Sequence, residues 1–310
     1  MTAFSFALNG RKKTATKIYE KSIEKLILLA ALTATVSVFL ITVFIFKNGL
    51  PIISEIGLKG FLFGTEWKPG NGLYGILPLI AGTLSVTFTA LILGIPTGIA
   101  CAVFLSEIIA DKPAKGFKFA IELLAGIPSV IYGFFGLKII VPMIRETILP
   151  IVQFFDPGAK TTGLSVLAGG IILAIMILPT IVSLSENAIS AVPIEYKEAS
   201  LAIGANKRET IMKVLIPAAR SGIIASVILG MGRAVGETMA VLLITGNVAL
   251  LPKSILDPVA TLTGTIALEM GYADFTHQQA LFAVGIVLFF VIMILNLIAQ
   301  FTAKRMGINP

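Results

Sequence analysis

The stretch GIIASVILGMGRAVGETMAVLLIT, residues 222 to 245, is long and apolar enough to cross a bilayer, yet it holds Arg233 and Glu237 near its middle. Read as one helix, it puts the two charges four residues apart on a single face. At about 1.5 Å rise per residue, Arg233 stands about 16 Å from Gly222, half way through a hydrocarbon core about 30 Å thick. Arginine does not shed its proton there, and insertion scales put a central Arg at about 2.5–3.5 kcal/mol. Glu237 is the nearest group able to offset that cost.

The rest of the chain is written in the same way. Apolar residues make up 56% of the 310 and charged residues 13%, with mean hydropathy +0.95, which excludes a soluble globular domain and predicts an all-α, polytopic membrane protein. Six apolar segments are read as transmembrane helices: Leu26 to Phe46, Ile76 to Leu105, Phe119 to Leu137, Leu164 to Leu184, Gly222 to Thr245 and Ala280 to Phe301. They divide the chain into a basic cytoplasmic N-terminal segment 1–25, a first helix 26–46, an external loop 47–75, a five-helix core 76–302 with a cytoplasmic loop 186–221, and a cytoplasmic tail 303–310.

The net charge of +7 is explained by topology and not by nucleic acid. Arg11, Lys12, Lys13, Lys17, Lys21 and Lys25, then Lys112, Lys115 and Lys118, then the basic residues from Lys197 to Arg220, then Lys304 and Arg305 fall on one side. That side is the cytoplasm, and both termini lie in it. The opposite side receives Lys47, Lys59, Lys68, Lys138, Arg145, Lys160 and Lys253. The basic start followed by an apolar run has the look of a signal peptide, but the run is too long and lacks a small-residue cleavage site, so it is read as a retained span. Cys101 is the only cysteine and no intrachain disulfide forms. His277, the only histidine, has no Cys or second His near it in sequence, so neither a metal nor a cofactor is expected.

Pro96, between Gly94 and Gly98, predicts a bend in the second span, as Pro128 and Pro179 do further on. Small residues at Gly82, Thr83, Ser85, Gly94, Gly98, Ala100, Gly126, Ser129 and Gly133 predict close helix packing. The loop around Trp67 is expected to lie along the membrane interface, and Pro258 to open a short surface helix through Met270. In the cytoplasmic loop, Pro193 is suited to a helix start, Glu195 to its first turn and Gly204 to its stop.

The pattern Glu198-Ala-Ser200, then Gly204, then Val214-Leu-Ile-Pro217 resembles the signature of ABC importer permease subunits, with Ser200 where a second alanine is usual. The resemblance implies the type I permease fold and a loop helix socketed in an ATPase subunit, with Glu195, Tyr196, Glu198, Ala199, Ser200 and Gly204 as the coupling residues. Tyr74 to Leu84, Glu122 to Val130, Arg233 to Val241, Thr261 to Thr263 and Ala267 to Gly271 resemble the phosphate importer permeases of the PstC family, over most of the chain after residue 60. By that resemblance the chain carries inorganic phosphate through the inner membrane beside a PstA-like second permease subunit. A PstB-like ATPase dimer would supply the energy and a PstS-like binding protein the cargo, with the lipid bilayer as surroundings and no nucleic acid partner. The chain has no Gly-x-x-x-x-Gly-Lys-[Ser/Thr] phosphate cradle, so ATP hydrolysis is expected on the separate subunit.

The candidate path residues are Arg233, Glu237, Thr238, Ser129 and Glu122. Arg233 and Glu237 admit two readings. Either they neutralise each other and pin the fifth span, or they line a polar route in which the guanidinium meets an oxyanion and Glu237 is its resting counter-ion. Glu122, near the cytoplasmic end of the third span, is read chiefly as packing or gating. Sulfate, molybdate and phosphonate remain alternative cargoes, and a stand-alone anion carrier or channel is the rival outside the ABC class.

Overall fold

The structure, a computed structural model, describes residues 2–158 and 160–305. The side chains of residues 1–19, 22, 111 and 302–310 lie outside the described set, and with them Arg11, Lys12, Lys13, Lys17, Lys304 and Arg305 of the orientation argument. The regular structure of the described residues is helical apart from one two-stranded hairpin and an isolated bridge.

In order, α1 is Thr2–Ile56 and α2 Leu58–Phe63, followed by β1 Trp67–Lys68 paired antiparallel with β2 Leu73–Tyr74. Next, α3 runs Leu77–Val103 and continues as a π-helical turn to Ile108, α4 is Asp111–Ala125, α5 is Ser129–Phe155 with π-helical turns inside it, and α6 is Val166–Ser190. The second half holds α7 Ile194–Ala202, α8 Lys207–Ala218, α9 Arg220–Gly236, α10 Met239–Ile244, α11 Leu262–Glu269 and α12 Phe275–Arg305.

Four helices, over Ile23–Ile56, Leu77–Ile108, Val166–Ser190 and Phe275–Phe301, are each long and apolar enough to span a membrane. The number rises to six if each of two bent pairs makes one span: α4 with α5, bent by 95°, and α8 with α9, bent by 69°. The expected third span, Phe119 to Leu137, is therefore not one helix. Pro128 carries no amide hydrogen and disfavours helical geometry at Ile127, so the chain turns there. The bends expected at Pro96 and Pro179 are not where the sharp turns fall, because both prolines sit inside continuous helices.

The helix α6 is the centre of the bundle. Of its most apolar stretch 67% is buried, against 0% for that of α1. The glycines that predicted close packing deliver it: a Cβ on Gly94 would stand 2.8 Å from Ile177 Cδ1 and one on Gly98 2.6 Å from Ile181 Cγ2, so α3 lies directly on α6. The helix α1 crosses α12 at Gly49, where an added Cβ would meet the Ala283 backbone nitrogen at 2.7 Å, and Phe44 meets Phe282 edge-on at 5.4 Å.

Two further expectations need correction. The first helix does not end at residue 46 but runs to Ile56; in the loop that follows, Trp67 is 7% exposed and its indole N–H donates to Glu269. Pro258 does not open the next helix. Val259 is taken into a bridge with Gly246, α11 starts at Leu262 behind a Thr261 cap, and Leu262 to Thr265 are buried and not at the surface.

Candidate functional site

The stretch from 222 to 245 is broken in its middle. The helix α9 ends at Gly236, Glu237 turns extended at φ −67° and ψ 135°, and α10 begins at Met239. A break of this kind leaves carbonyls without partners at one helix end and amides at the other. Arg233 occupies the last turn of α9, where a cation complements the partial negative charge of the helix end. The Glu237 carboxylate turns the other way and accepts the Ala240 amide of α10 at 3.1 Å.

The expected Arg233 and Glu237 ion pair is thus absent. Among the described residues no carboxylate pairs with Arg233. The reason is the turn at Glu237, which takes the carboxylate off the face it would share with Arg233 on an unbroken helix. Arg233, Glu237 and Thr238 are all half-buried, Gly236 is exposed, and a Cβ on Gly232 or Gly236 would meet nothing within 4 Å. This face of the break is uncovered in the single chain.

Threonines hold the other side. Thr263 Oγ1 donates to the Glu237 carbonyl at 2.7 Å. Thr83 Oγ1 donates to Leu79 O and accepts the Leu262 amide, both at 2.9 Å, and Thr261 Oγ1 accepts the Gly264 amide at 3.1 Å. A cavity of about 10 Å³, enough for one water, lies among Thr83, Thr87, Glu237, Thr261 and Thr263. Irregular backbone inside a membrane bundle occurs where protein or a wet cavity satisfies it, and these hydroxyls do so here.

Ser129 opens α5, one turn before Gly133, whose missing side chain lets α5 approach Ala240 and Leu243 of α10. The structure does not join it to Arg233 by a hydrogen bond. Glu122 stands apart from the break. It is exposed on α4 and lines a cleft of about 220 Å³ with Lys118, Ser183, Glu186 and Asn187.

The loop helix expected from Pro193 to Gly204 is present as α7, with Pro193 just before it and Gly204 at φ 93° just after. Glu195, Tyr196, Glu198 and Ala199 are exposed, and with Ile194, Leu201 and Ile203 they form an uncovered surface. Ser200 faces inward, 7% exposed, and shares a 3.0 Å hydrogen bond with Thr210. The hydroxyl at this position therefore has a partner in the chain's own next segment.

Sequence reasoning missed three buried polar contacts. Glu186, placed in the loop from its charge, is inside α6 at 6% exposure, pairs with Lys118 at 2.7 Å and accepts from Ser190 at 2.9 Å. Glu107 pairs with Lys197 at 2.6 Å. Glu269 accepts from Trp67 Nε1 at 3.0 Å and meets His277 Nε2 at 2.7 Å, tying the hairpin to α11 and α12. Beside it the Tyr74 hydroxyl is held above its ordinary ionisation range, by burial first and then by the carboxylates of Asp274 and Glu55. The one local signal was the four-residue spacing of Glu186 and Ser190 at the end of an apolar helix; the rest are long-range.

The arrangement matches known proteins throughout. The family model for the binding-protein-dependent transport system inner membrane component matches residues 94–308. A Bacillus subtilis protein named "Probable ABC transporter permease protein YqgH" is 39% identical over 90% of this chain and 87% of its own. The phosphate transport system permease protein PstC of Haemophilus influenzae is 34% identical over 88% and 92%, and that of Pasteurella multocida 34% over 79% of each. Among solved structures, a bacterial ABC transporter that imports alginate superposes with TM-score 0.60 at 16% identity over 93% of this chain and 99% of that one. The MetNI methionine ABC transporter superposes with TM-score 0.55 at 20% identity over 78% and 99%. Together these establish the type I importer fold, and the chain belongs to the family of binding-protein-dependent transport system inner membrane components, the permease subunits of ABC importers, within its PstC branch.

Proposed function

We propose that this permease carries inorganic phosphate, and that Arg233 is the group the anion meets. The observation that carries the reading is a guanidinium that, among the described residues, has no carboxylate partner, at a helix break and half-exposed on a face the single chain leaves uncovered. A planar fork of N–H donors suits phosphate oxygens, and a single cation gives a contact strong enough to admit the anion and weak enough to release it. The phosphate named for the PstC relatives supports the same cargo. Glu237, Thr238 and Ser129 line the route beside it, with Glu237 setting the start of α10 in place of its expected role as counter-ion. Glu122 acts in the cleft at the α7 end as a packing or gating group.

The uncovered face is where a PstA-like second permease subunit closes the path. The exposed surface of α7, with Glu195, Tyr196, Glu198 and Ala199 outward and Ser200 and Gly204 fixing its end, docks a PstB-like ATPase subunit, where ATP is hydrolysed. A PstS-like binding protein delivers phosphate at the opposite end, so that both termini are cytoplasmic and the inner membrane lies between. ATP binding and hydrolysis then alternate access to the break.

The test is co-purification followed by transport in liposomes. The reading expects an ATPase subunit to come with the chain, and hydrolysis stimulated by phosphate-loaded binding protein. Competition that favours sulfate or molybdate over phosphate refutes the cargo, and transport without any ATPase refutes the class.

A further inference from the structure

The helix α7 is fastened to α8, the segment that follows it, through Ser200 and Thr210. Its ion pair reaches elsewhere. Lys197 Nζ lies 2.6 Å from Glu107 Oε2, 90 positions earlier, in the π-helical turn that ends α3. The Glu107 side chain is 9% exposed and that of Lys197 32%. This is not an exposed pair of little consequence: taking away the lysine would leave a buried carboxylate without its charge partner. Among the described residues it is the only ion pair between α7 and a membrane span.

What lies at the other end of α3 gives the pair its meaning. Thr83 is 24 residues from Glu107, about 36 Å along a helix, and it accepts the amide of Leu262. The next residue, Thr263, donates to the carbonyl of Glu237 at the break. Between these points α3 packs closely on α6 at Gly94 against Ile177 and at Gly98 against Ile181, where there is no room for a side chain. One continuous helix therefore reaches the loop helix at one end and, through Leu262 and Thr263, the broken span at the other. The π-helical turn at the joint is a form often found at functional positions.

We propose that Glu107 and Lys197 are the joint by which displacement of α7 is passed to α3 and, through Thr83 and Thr263, to the break at Glu237. Both are positioning residues; neither touches the anion. The inference rests on the reading of α7 as the ATPase-docking helix, and its test separates the two.

In the complete complex, reconstituted in liposomes with its ATPase subunits and binding protein, phosphate uptake and ATP hydrolysis are measured together. Lys197→Met and Glu107→Gln should each lower phosphate moved per ATP by about fivefold or more while the subunits still co-purify. Lys197→Arg, which keeps charge and reach, should stay within about twofold of wild type, and the exchange of Glu107→Lys with Lys197→Glu should recover most of the loss. Unchanged uptake per ATP in the single variants overturns the joint. So does parallel loss of ATPase subunits and hydrolysis in those variants, which would make the pair a docking element only. A wild-type complex without phosphate-stimulated hydrolysis defeats the proposed function first, and is seen before any variant is made.

Discussion

The Thr263 hydroxyl donates to the Glu237 carbonyl at 2.7 Å, from the first turn of one helix to the break in another 26 residues away. Because α9 has just ended, that carbonyl has no helical amide to accept. Thr263→Val keeps the shape and removes the donor, leaving a part-buried carbonyl unsatisfied. The expected cost is about 1–3 kcal/mol, seen as a lower unfolding temperature in detergent together with reduced uptake, whereas Thr263→Ser should stay close to wild type.

Arg233→Gln should abolish phosphate uptake with assembly of the complex intact. Glu237→Gln should act differently, because its carboxylate caps α10 and does not neutralise Arg233. A neutral amide still accepts the Ala240 N–H, so partial transport is expected, with a stability loss of about 0.3–1 kcal/mol from the missing charge at the helix start. Equal and complete loss in both variants, measured as uptake in liposomes, would argue for a pair acting as one unit.

Gly82 faces the Ala260 carbonyl, and a Cβ there would collide with backbone and not with a flexible side chain. Gly82→Ala should therefore push α3 off the segment before α11, at about 1–3 kcal/mol. Gly116 on α4 is the control, with nothing within 4 Å of an added Cβ. Gly116→Ala should gain about 0.5–1 kcal/mol from helix propensity alone, and thermal unfolding of the two variants reads the contrast.

Trp67 is the only tryptophan, which makes the Glu269 cluster directly observable. Glu269→Ala removes the acceptor of the indole and the partner of His277 together. Trp67 emission should move to the red as water reaches the ring, with a stability loss of about 1.5–3 kcal/mol. Glu66→Gln breaks only the exposed pair with Lys68, whose side chains are 55% and 60% exposed, and should leave emission and stability within about 1 kcal/mol of wild type.

The apolar segments and the α7 signature were readable in the chain because both depend on neighbours in sequence. Hydropathy located six candidate crossings, and Pro193 with Gly204 bounded the loop helix. The breaks were not readable, since hydropathy adds up composition and is blind to where a helix stops: Gly236, Glu237 and Thr238 read as one more turn of the fifth span. The buried polar contacts lie even further beyond sequence. Lys118 and Glu186 are 68 positions apart, Lys197 and Glu107 are 90, and Trp67 and Glu269 are 202. Such pairs form only when distant segments fold together, and no local spacing announces them.

The first helix meets the bundle chiefly along α12, with Gly49 and Phe44 at the crossing, and shows its most apolar stretch entirely outward. A strip that no other part of the chain packs against is constrained by its apolar character alone. Between residues 26 and 43, exchanges among Leu, Ile, Val and Phe should accumulate freely through evolution, while Gly49 stays fixed by the backbone it rests on.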